Sequence, residues 1–335
     1  MPPTSVERPE QLASTGGHQI ACCGGPAHDS RQASVLVLLA AYNGASWIRQ
    51  QIESILAQES IEVQVVVRDD GSTDSTLEAI NSLRAGPKVA LSRQPVHTGS
   101  AAQNFLALIC EHNADGFEFV ALADQDDTWH SNKLHRAVSV LAQSGCVGYS
   151  SATVAAWPDG RTTLLRQSDR TTCGDFLFEG AGQGCTFVLS AAFYRELRRF
   201  LMHHRILTES LHYHDWAIYA IARARDRRWA FDASPSMIYR QHGGNDTGAR
   251  TSARGAAKRW RLIREGWYKS QLITIAKLCA AAAPSNHTVA AWQAILVQPG
   301  GWRRRLYAAR FCLRCGRRRL SDRMLLVVVC LLGWI

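Results

Sequence analysis

The sequence has no run of about 20 apolar residues, the length a helix needs to cross a bilayer. Its most apolar stretch, MLLVVVCLLGWI at the C-terminal end, has twelve uncharged residues. Membrane-spanning helices are therefore not expected. Neither a GxxxxGK[ST] loop nor a GxGxxG following a strand occurs, so the usual backbone cradles for phosphate are missing. GAGQG, Gly180–Gly184, precedes a strand instead of a helix. A glycine- and lysine-rich triphosphate loop is also absent, which argues against a nucleotidyltransferase. The aromatic residues do not alternate with the arginines as a stacking surface would require, so no nucleic-acid partner is expected. The first 33 residues lack an apolar h-region and give no secretory signal. Ten cysteines at irregular spacing do not form a disulfide framework. Reduced thiols are expected, and Cys312 and Cys315, one CxxC without the second pair a structural zinc needs, read as two thiols on one helix.

What is present is a chain of 335 residues, 46% hydrophobic, with a formal charge of +10. It is apolar enough to bury a large α/β core. The positive charge is uneven: Trp302 to Met324 holds nine arginines and one aspartate. Such a tail fits an anionic surface.

Residues 1–33 carry no periodicity and read as a flexible leader. From Ser34 strand and helix patterns alternate: SVLVLLA, then a helix over ASWIRQQIESILAQ; IEVQVVVR, then STDSTLEAINSLR; KVALS, then AAQNFLALICEH; FEFVALA, then SNKLHRAVSVLAQ. Strict alternation predicts an α/β fold with a parallel sheet and helices on both faces. Beyond Gln143 the alternation breaks. Strands with a turn at Pro158-Asp159-Gly160, a glycine-rich loop before TFVLS, two helices around AAFYRELRRFL and HDWAIYAIARARD, and late strands at RRWAF and SMIYRQ follow. From about Gly255 the chain reads as helical and basic. The division expected is 1–33 leader, 34–250 an α/β domain, and 251–335 a helical, arginine-rich region.

In such sheets ligands bind beyond the carboxyl ends of the strands. Asn43 and Gly44, the run Arg68–Asp74 (RDDGSTD), and Asp124-Gln125-Asp126-Asp127 all fall there. Three carboxylates in four residues repel one another unless something positive joins them. Asp124 and Asp126, two apart beyond a strand, offer hard oxygens of the kind Mg²⁺ or Mn²⁺ takes; a solvated turn with Asp127 capping the next helix explains them equally well. Gly71 suits a turn, and Ser72, Thr73 or Asp74 can cap the helix after it. Asp69 and Asp70 are surplus to that, and a carboxylate at a strand end can accept from the N3–H of a pyrimidine. Asp215, opening an apolar helix, reads as a helix cap or as a general base facing a cleft. His242, between a strand and two glycines, can add a nitrogen ligand beside Asp126.

The order VLLAAYNGASWIRQQIESILAQ, VVVRDDGSTDSTLEAI, FVALADQDDTWHSNKL, GCTFVLS, HDW and YRQHGGN closely resembles bacterial family 2 glycosyltransferases of GT-A fold, and within them the rhamnosyltransferase-type enzymes of surface polysaccharide (O-antigen, cell envelope) biosynthesis. The resemblance runs from about Ser34 to Gly248. It implies that Ala41, Tyr42, Asn43, Asp69, Asp70 and Asp124 hold the nucleotide, that Asp124, Asp126 and His242 hold Mg²⁺ or Mn²⁺, and that Asp215 is the catalytic base. Gln125, Asp127, Trp129, Lys133, Gly184, Cys185, His214 and Trp216 are implied at the donor sugar or acceptor. His130-Ser131 and EGAGQGCT depart from the family pattern near those contacts.

The function implied is metal-dependent, inverting transfer of a sugar, L-rhamnose from dTDP-rhamnose or another from a UDP-sugar, to a hydroxyl of a glycan or polyprenyl-linked glycan. A loop at Gly243–Thr251 or around Gly180 is expected to close over the donor. The alternative is a non-catalytic relative that binds a nucleotide sugar or nucleic acid. An arginine-rich amphipathic segment with an apolar end can form a terminal helix packed on the domain or on a second subunit, or lie on an anionic leaflet. That suggests a cytoplasmic protein, peripheral at the inner face of the bacterial plasma membrane.

Overall fold

The computed structural model describes residues 32–84, 86–92, 97–242 and 260–335. The leader and the loop at Gly243–Thr251 lie essentially outside the described residues. The first half alternates as its periodicity requires: β1 (Ala33–Ala41), α1 (Ile48–Leu56), β2 (Ile61–Asp69), α2 (Thr76–Leu83), β3 (Val89–Leu91), α3 (Ala101–Glu111), β4 (Phe119–Asp124), a short β5 (Thr128–Trp129) and α4 (Lys133–Ser144). Then come β6 (Gly148–Ala156), β7 (Thr162–Leu165), β8 (Val188–Ser190), α5 (Ala191–His203), α6 (Arg205–Thr208), α7 (His214–Ala224) and β9 (Trp229–Arg240). The chain ends in α8 (Trp267–Ala282), α9 (His287–Leu296), α10 (Trp302–Cys315) and α11 (Leu320–Leu331).

These strands form one sheet in the order β3-β2-β1-β4-β8-β6-β9-β5, with β7 paired to β6. β3, β2, β1 and β4 are parallel. The sheet as a whole is mixed, because β8 runs antiparallel to both β4 and β6 and β6 folds back on β7 through Pro158-Asp159-Gly160. Gly160 takes φ 83° at that turn, a conformation that favours glycine. The two late strands of the sequence are one strand, β9, whose pairing with β6 slips between Asp232 and Pro235, where proline offers no N–H to the ladder.

Alternation along β1 splits its side chains between two cores. Val35, Val37, Leu39 and Ala41 join a cluster with Ile48, Ile52 and Ile55 of α1 and Leu134 of α4. Leu36, Leu38 and Ala40 face a larger cluster built from α3, α5, α7 and α8. A strand buried on both faces reads as an uninterrupted aliphatic run, and β1 is one. The C-terminal helices belong to the larger cluster: Leu272, Ile275 and Cys279 of α8, Trp292 of α9 and Cys312 of α10 are buried beside Ile218 and Ile221 of α7. No helix among the described residues is long and apolar enough to cross a membrane.

One expectation is corrected here. Cys315 is not a free thiol: it is disulfide-bonded to Cys173, 142 positions away, while Cys312 faces Cys330 with sulfurs 3.6 Å apart. Spacing carries no signal for a bond between such distant cysteines.

Candidate active site

The parallel registers bring the polar strand ends to one level. Ala41 pairs with Asp69 and Ala40 with Asp124, and the Asp70 N–H donates to the Ala41 carbonyl at 2.8 Å. Three loops, after β1, β2 and β4, therefore converge on a cleft of about 970 Å³ whose far wall is the loop at 178–184 and the start of α7.

At the β2 end both acids are buried and engaged. Asp69 accepts from the N–H groups of Gly71 and Ser72 and from the Ser72 hydroxyl, so it holds the turn that the sequence assigned to its neighbours alone. The exposed Asp74, just ahead of α2, accepts from the N–H groups of Ala45 and Thr76, both at 3.1 Å; against a slight desolvation these hydrogen bonds hold its carboxyl below the usual range. Asp70 accepts from Thr98 N–H (2.8 Å) and Gly99 N–H (2.9 Å) and pairs with Arg68 at 3.0 Å. Arg68 is itself buried, shared with Asn104 (2.7 Å) and Glu111 (3.3 Å). A buried carboxylate held by a buried guanidinium and backbone donors keeps a fixed position. Asp70, Ala41 and the half-exposed Tyr42 line the cleft with His97, whose ring lies 5.7 Å from that of Tyr42. Asn43 stands outside the lining. It takes the left-handed φ of 48°, and its Oδ1 accepts from Thr73 N–H at 2.8 Å, tying the β1 loop to the β2 loop.

Beyond β4, Asp124, Gln125 and Asp126 line the cleft. The Gln125 amide is committed to Tyr42: Oε1 accepts from its N–H and Nε2 donates to its carbonyl, both at 2.8 Å. The two loops are thus tied to each other. Gly44 is required for this, because a Cβ there would sit 2.0 Å from Gln125 Oε1. His242, at the end of β9, places Nε2 2.7 Å from Asp126 Oδ2 and stacks on Trp47 with ring centroids 4.0 Å apart.

Asp127 does not cap α4, whose N-cap residue is Asn132. It is fully buried, neither oxygen completes a hydrogen bond among the described residues, and burial together with Asp124 and Asp126 pushes its carboxyl well above the usual range. An oxygen of Asp124, an oxygen of Asp127 and the Cys185 sulfur lie within 4.8 Å of one another. Lys133, also fully buried, lies 4.4 Å over the Trp129 ring, and burial lowers its ammonium to about 8. Asp124 and Asp126 with the His242 imidazole form a hard oxygen and nitrogen set that suits Mg²⁺ or Mn²⁺. The excess of acid over base around the buried Asp127 is of the kind a cation relieves.

The far wall is shaped by glycines. A Cβ on Gly184 would meet His214 Nε2 at 2.6 Å and Asp215 Cβ at 3.2 Å; one on Gly180 would meet Trp216 Cα at 3.2 Å. The N-terminus of α7 is thereby pressed against the loop. Trp216 fixes it by donating Nε1–H to the Phe176 carbonyl at 2.8 Å. Asp215 lines the cleft in the first turn of α7, where the helix dipole favours a negative charge. His214 stacks on Phe105 at 4.1 Å, and burial lowers its imidazole to about 3.

Behind this loop sits a group the sequence did not single out. Arg318 is 4% exposed, donates to Asp175 Oδ2 at 3.1 Å and to the Gly180 carbonyl at 2.8 Å, and its backbone N–H donates to Glu179. Arg317 donates to the Phe178 carbonyl and the Tyr268 hydroxyl. Part of the basic tail is therefore the scaffold of the cleft.

Of the residues assigned to nucleotide, sugar or acceptor, Ala41, Tyr42, Asp70, Asp124, Gln125, Gly184, His214 and Trp216 line the cleft. Asp127, Trp129, Lys133 and Cys185 do not: at 0 to 4% exposure they pack behind its wall, and any effect on substrate passes through the loop above them. Asp69 and Asn43 hold turns. His97, Asn104 and Phe105 line the cleft and were missed; a histidine in a loop and two residues inside a helical pattern carry no local mark.

Sheet, acidic loops and cleft define the GT-A class of nucleotide-sugar transferases. Residues 36–197 match the family described as Glycosyl transferase family 2. The chain is 33% identical over 244 residues, 72% of its own length and 84% of the relative's, to the dTDP-rhamnosyl transferase RfbG of Shigella flexneri. It is 34% identical over 111 residues, 33% of this chain and 30% of the relative, to the succinoglycan biosynthesis protein ExoO of Rhizobium meliloti. The crystal structure of S. aureus TarS 1-349 in complex with UDP shares the fold, with a TM-score of 0.52 at 13% identity over 90% of each chain. The protein belongs to glycosyltransferase family 2 and is a glycosyltransferase.

Proposed function

We propose that the protein transfers a sugar, L-rhamnose from dTDP-rhamnose, with inversion to a hydroxyl of a glycan or lipid-linked glycan, in a metal-dependent reaction. The observation that carries the reading is the convergence of Asp70, Asp124, Asp126 with His242, and Asp215 on one cleft. The similarity to a dTDP-rhamnosyl transferase over most of both chains supports the choice of donor.

Asp70 and the Tyr42 loop would hold the base and ribose, with Arg68 holding the Asp70 carboxylate in place. Asp124, Asp126 and His242 would hold Mg²⁺ or Mn²⁺, which when bound neutralises the leaving diphosphate. Asp215, on the opposite wall, would take the proton from the acceptor hydroxyl as that oxygen attacks the anomeric carbon. One displacement with the base and the leaving group on opposite faces inverts the centre. Gly180 and Gly184 let the loop lie close enough to α7 to keep water from the donor. The helical, basic C-terminal region supports a peripheral place at the inner face of the plasma membrane.

The test is transfer of radiolabel from dTDP-rhamnose to membrane fractions of a polysaccharide-producing bacterium, with Mn²⁺, by wild type and Asp215→Asn. Label in the product only with wild type is expected. Transfer from UDP-sugars but not dTDP-rhamnose would overturn the donor. Equal transfer by Asp215→Asn would overturn the base.

A further inference from the structure

The outer face of α11 has nothing packed on it among the described residues. Leu320, Met324, Val328 and Leu331 recur at intervals of four, four and three and so share one stripe. They are 65, 49, 46 and 45% exposed, while Leu326, Val329 and Cys330 on the other side are buried in the core. Folding has satisfied one face of this helix and left a second, equally apolar face in water. Monomeric proteins rarely expose such contiguous apolar surface without using it.

The neighbouring helix α10, joined to α11 through the facing Cys312 and Cys330, repeats the pattern with charge added. Trp302, Leu306 and Leu313 are exposed and lie within about 40° of one another around α10. Arg303, Arg310 and Arg314 are exposed and lie together about a quarter-turn further round. Asp322 is the only acidic residue between Trp302 and Met324, so the arginines of that stretch far outnumber the counter-charge it supplies.

We propose that α10 and α11 form a plate that lies flat on an anionic lipid leaflet. The apolar stripes enter the boundary between headgroups and acyl chains, and Arg303, Arg310 and Arg314 meet lipid phosphates. At 12 residues, α11 is about 18 Å long, too short to span the hydrocarbon and suited to lying in its surface. Charge selects lipid over a second copy of the chain, since two such faces brought together would oppose arginine to arginine. Arg319, Asp322 and Leu325 line the cleft, so the cleft opens at the edge of the plate. On the reading of the protein as a transferase, an acceptor held in that leaflet would reach Asp215 along the lipid surface.

The test is sedimentation of the full chain with vesicles of phosphatidylcholine containing about 30% phosphatidylglycerol, against phosphatidylcholine alone. Wild type is expected to pellet with the anionic vesicles and to be released by about 0.5 M salt, which screens the arginine–phosphate attraction. At about fivefold per arginine, Arg303→Gln/Arg310→Gln/Arg314→Gln should weaken partitioning about a hundredfold. Leu320→Ser/Met324→Ser/Val328→Ser should also stay in the supernatant. Both triples change only exposed side chains, and nucleoside diphosphate titration of the same preparations checks that the cleft is intact. Wild type remaining soluble, equal pelleting by both triples, equal pelleting on neutral vesicles, or a wild-type dimer that the serine triple dissociates would each overturn the proposal. Vesicle binding retained with no nucleotide bound would sink the transferase reading and leave the plate standing.

Discussion

Replacing Arg318 with methionine isolates the link between the C-terminal helices and the cleft. The substitution keeps most of the side chain's length and removes its charge. It takes from the fully buried Asp175 a partner at 3.1 Å and leaves the Tyr219 hydroxyl at 2.5 Å and Arg223 at 3.5 Å. It also strips Glu179 of a cation at 3.6 Å and the Gly180 carbonyl of a donor at 2.8 Å. Removing one member of a buried pair costs about 3 to 5 kcal/mol, because the other charge stays in a low dielectric. The remaining partners of Asp175 put the cost at the lower end, about 3 kcal/mol. At about 2 °C per kcal/mol for a chain of this size, Tm should fall by about 6 °C. Urea unfolding followed by tryptophan fluorescence measures the cost, and Asp175→Leu and the double variant complete the cycle. The double variant should be more stable than the sum of the singles predicts, since it removes the fully buried Asp175 carboxylate that Arg318→Met alone leaves short of a partner. A single-variant cost under about 1 kcal/mol, or a double variant as unstable as the sum, would refute the argument that Arg318 acts as a buried ion partner.

Gly184→Ala should abolish transfer while leaving nucleoside diphosphate affinity within about twofold, because the added carbon collides with His214 and presses on Asp215 and not on the nucleotide end; parallel activity and titration measurements read the two effects. His214 titrates at about 3 in the fold and at about 6.5 unfolded. Its contribution to stability is therefore complete above pH 6.5 and is lost as pH falls from there toward 3. At pH 5 the loss is about 2 kcal/mol, and it should vanish from the difference between pH 7 and pH 5 in His214→Gln. A pH dependence unchanged by that substitution would contradict the buried, neutral imidazole. Alkylation of the unfolded, unreduced chain should modify Cys110 and spare Cys173 and Cys315; label on the latter two would contradict the bond.

The first half of the fold was legible because each signal was local: β1 is an aliphatic run, α1 a 3.6-residue pattern, and the acids cluster where strands end. Asp70, Asp124 and Asp126 could be assigned to the cleft by their place after a strand alone. The second half was harder for a physical reason. β8 has three residues, and β9 carries a proline and a register slip, so neither presents a full period. Burial of charge was hidden as well. Arg318 lies in a run of nine arginines that reads as a solvated tail, and only its ion pairs with Asp175 and Glu179, some 140 residues earlier, explain its burial. Lys133 and Asp127 read as cleft residues from the motif around them, whereas packing against Trp129 and Cys185 turns them inward. Asp69 read as surplus because a carboxylate bonding its own turn looks, in sequence, like one awaiting a ligand.

The central claim is a metal-dependent nucleotide site formed by Asp70, Asp124 and Asp126. Calorimetric titration of dTDP and of UDP, each with and without Mn²⁺, into wild type and Asp126→Ala tests it most directly. The account predicts binding of dTDP that requires Mn²⁺ and is lost in Asp126→Ala. Binding of either nucleotide that is indifferent to metal and to the substitution, or no binding of either under any condition, would contradict it.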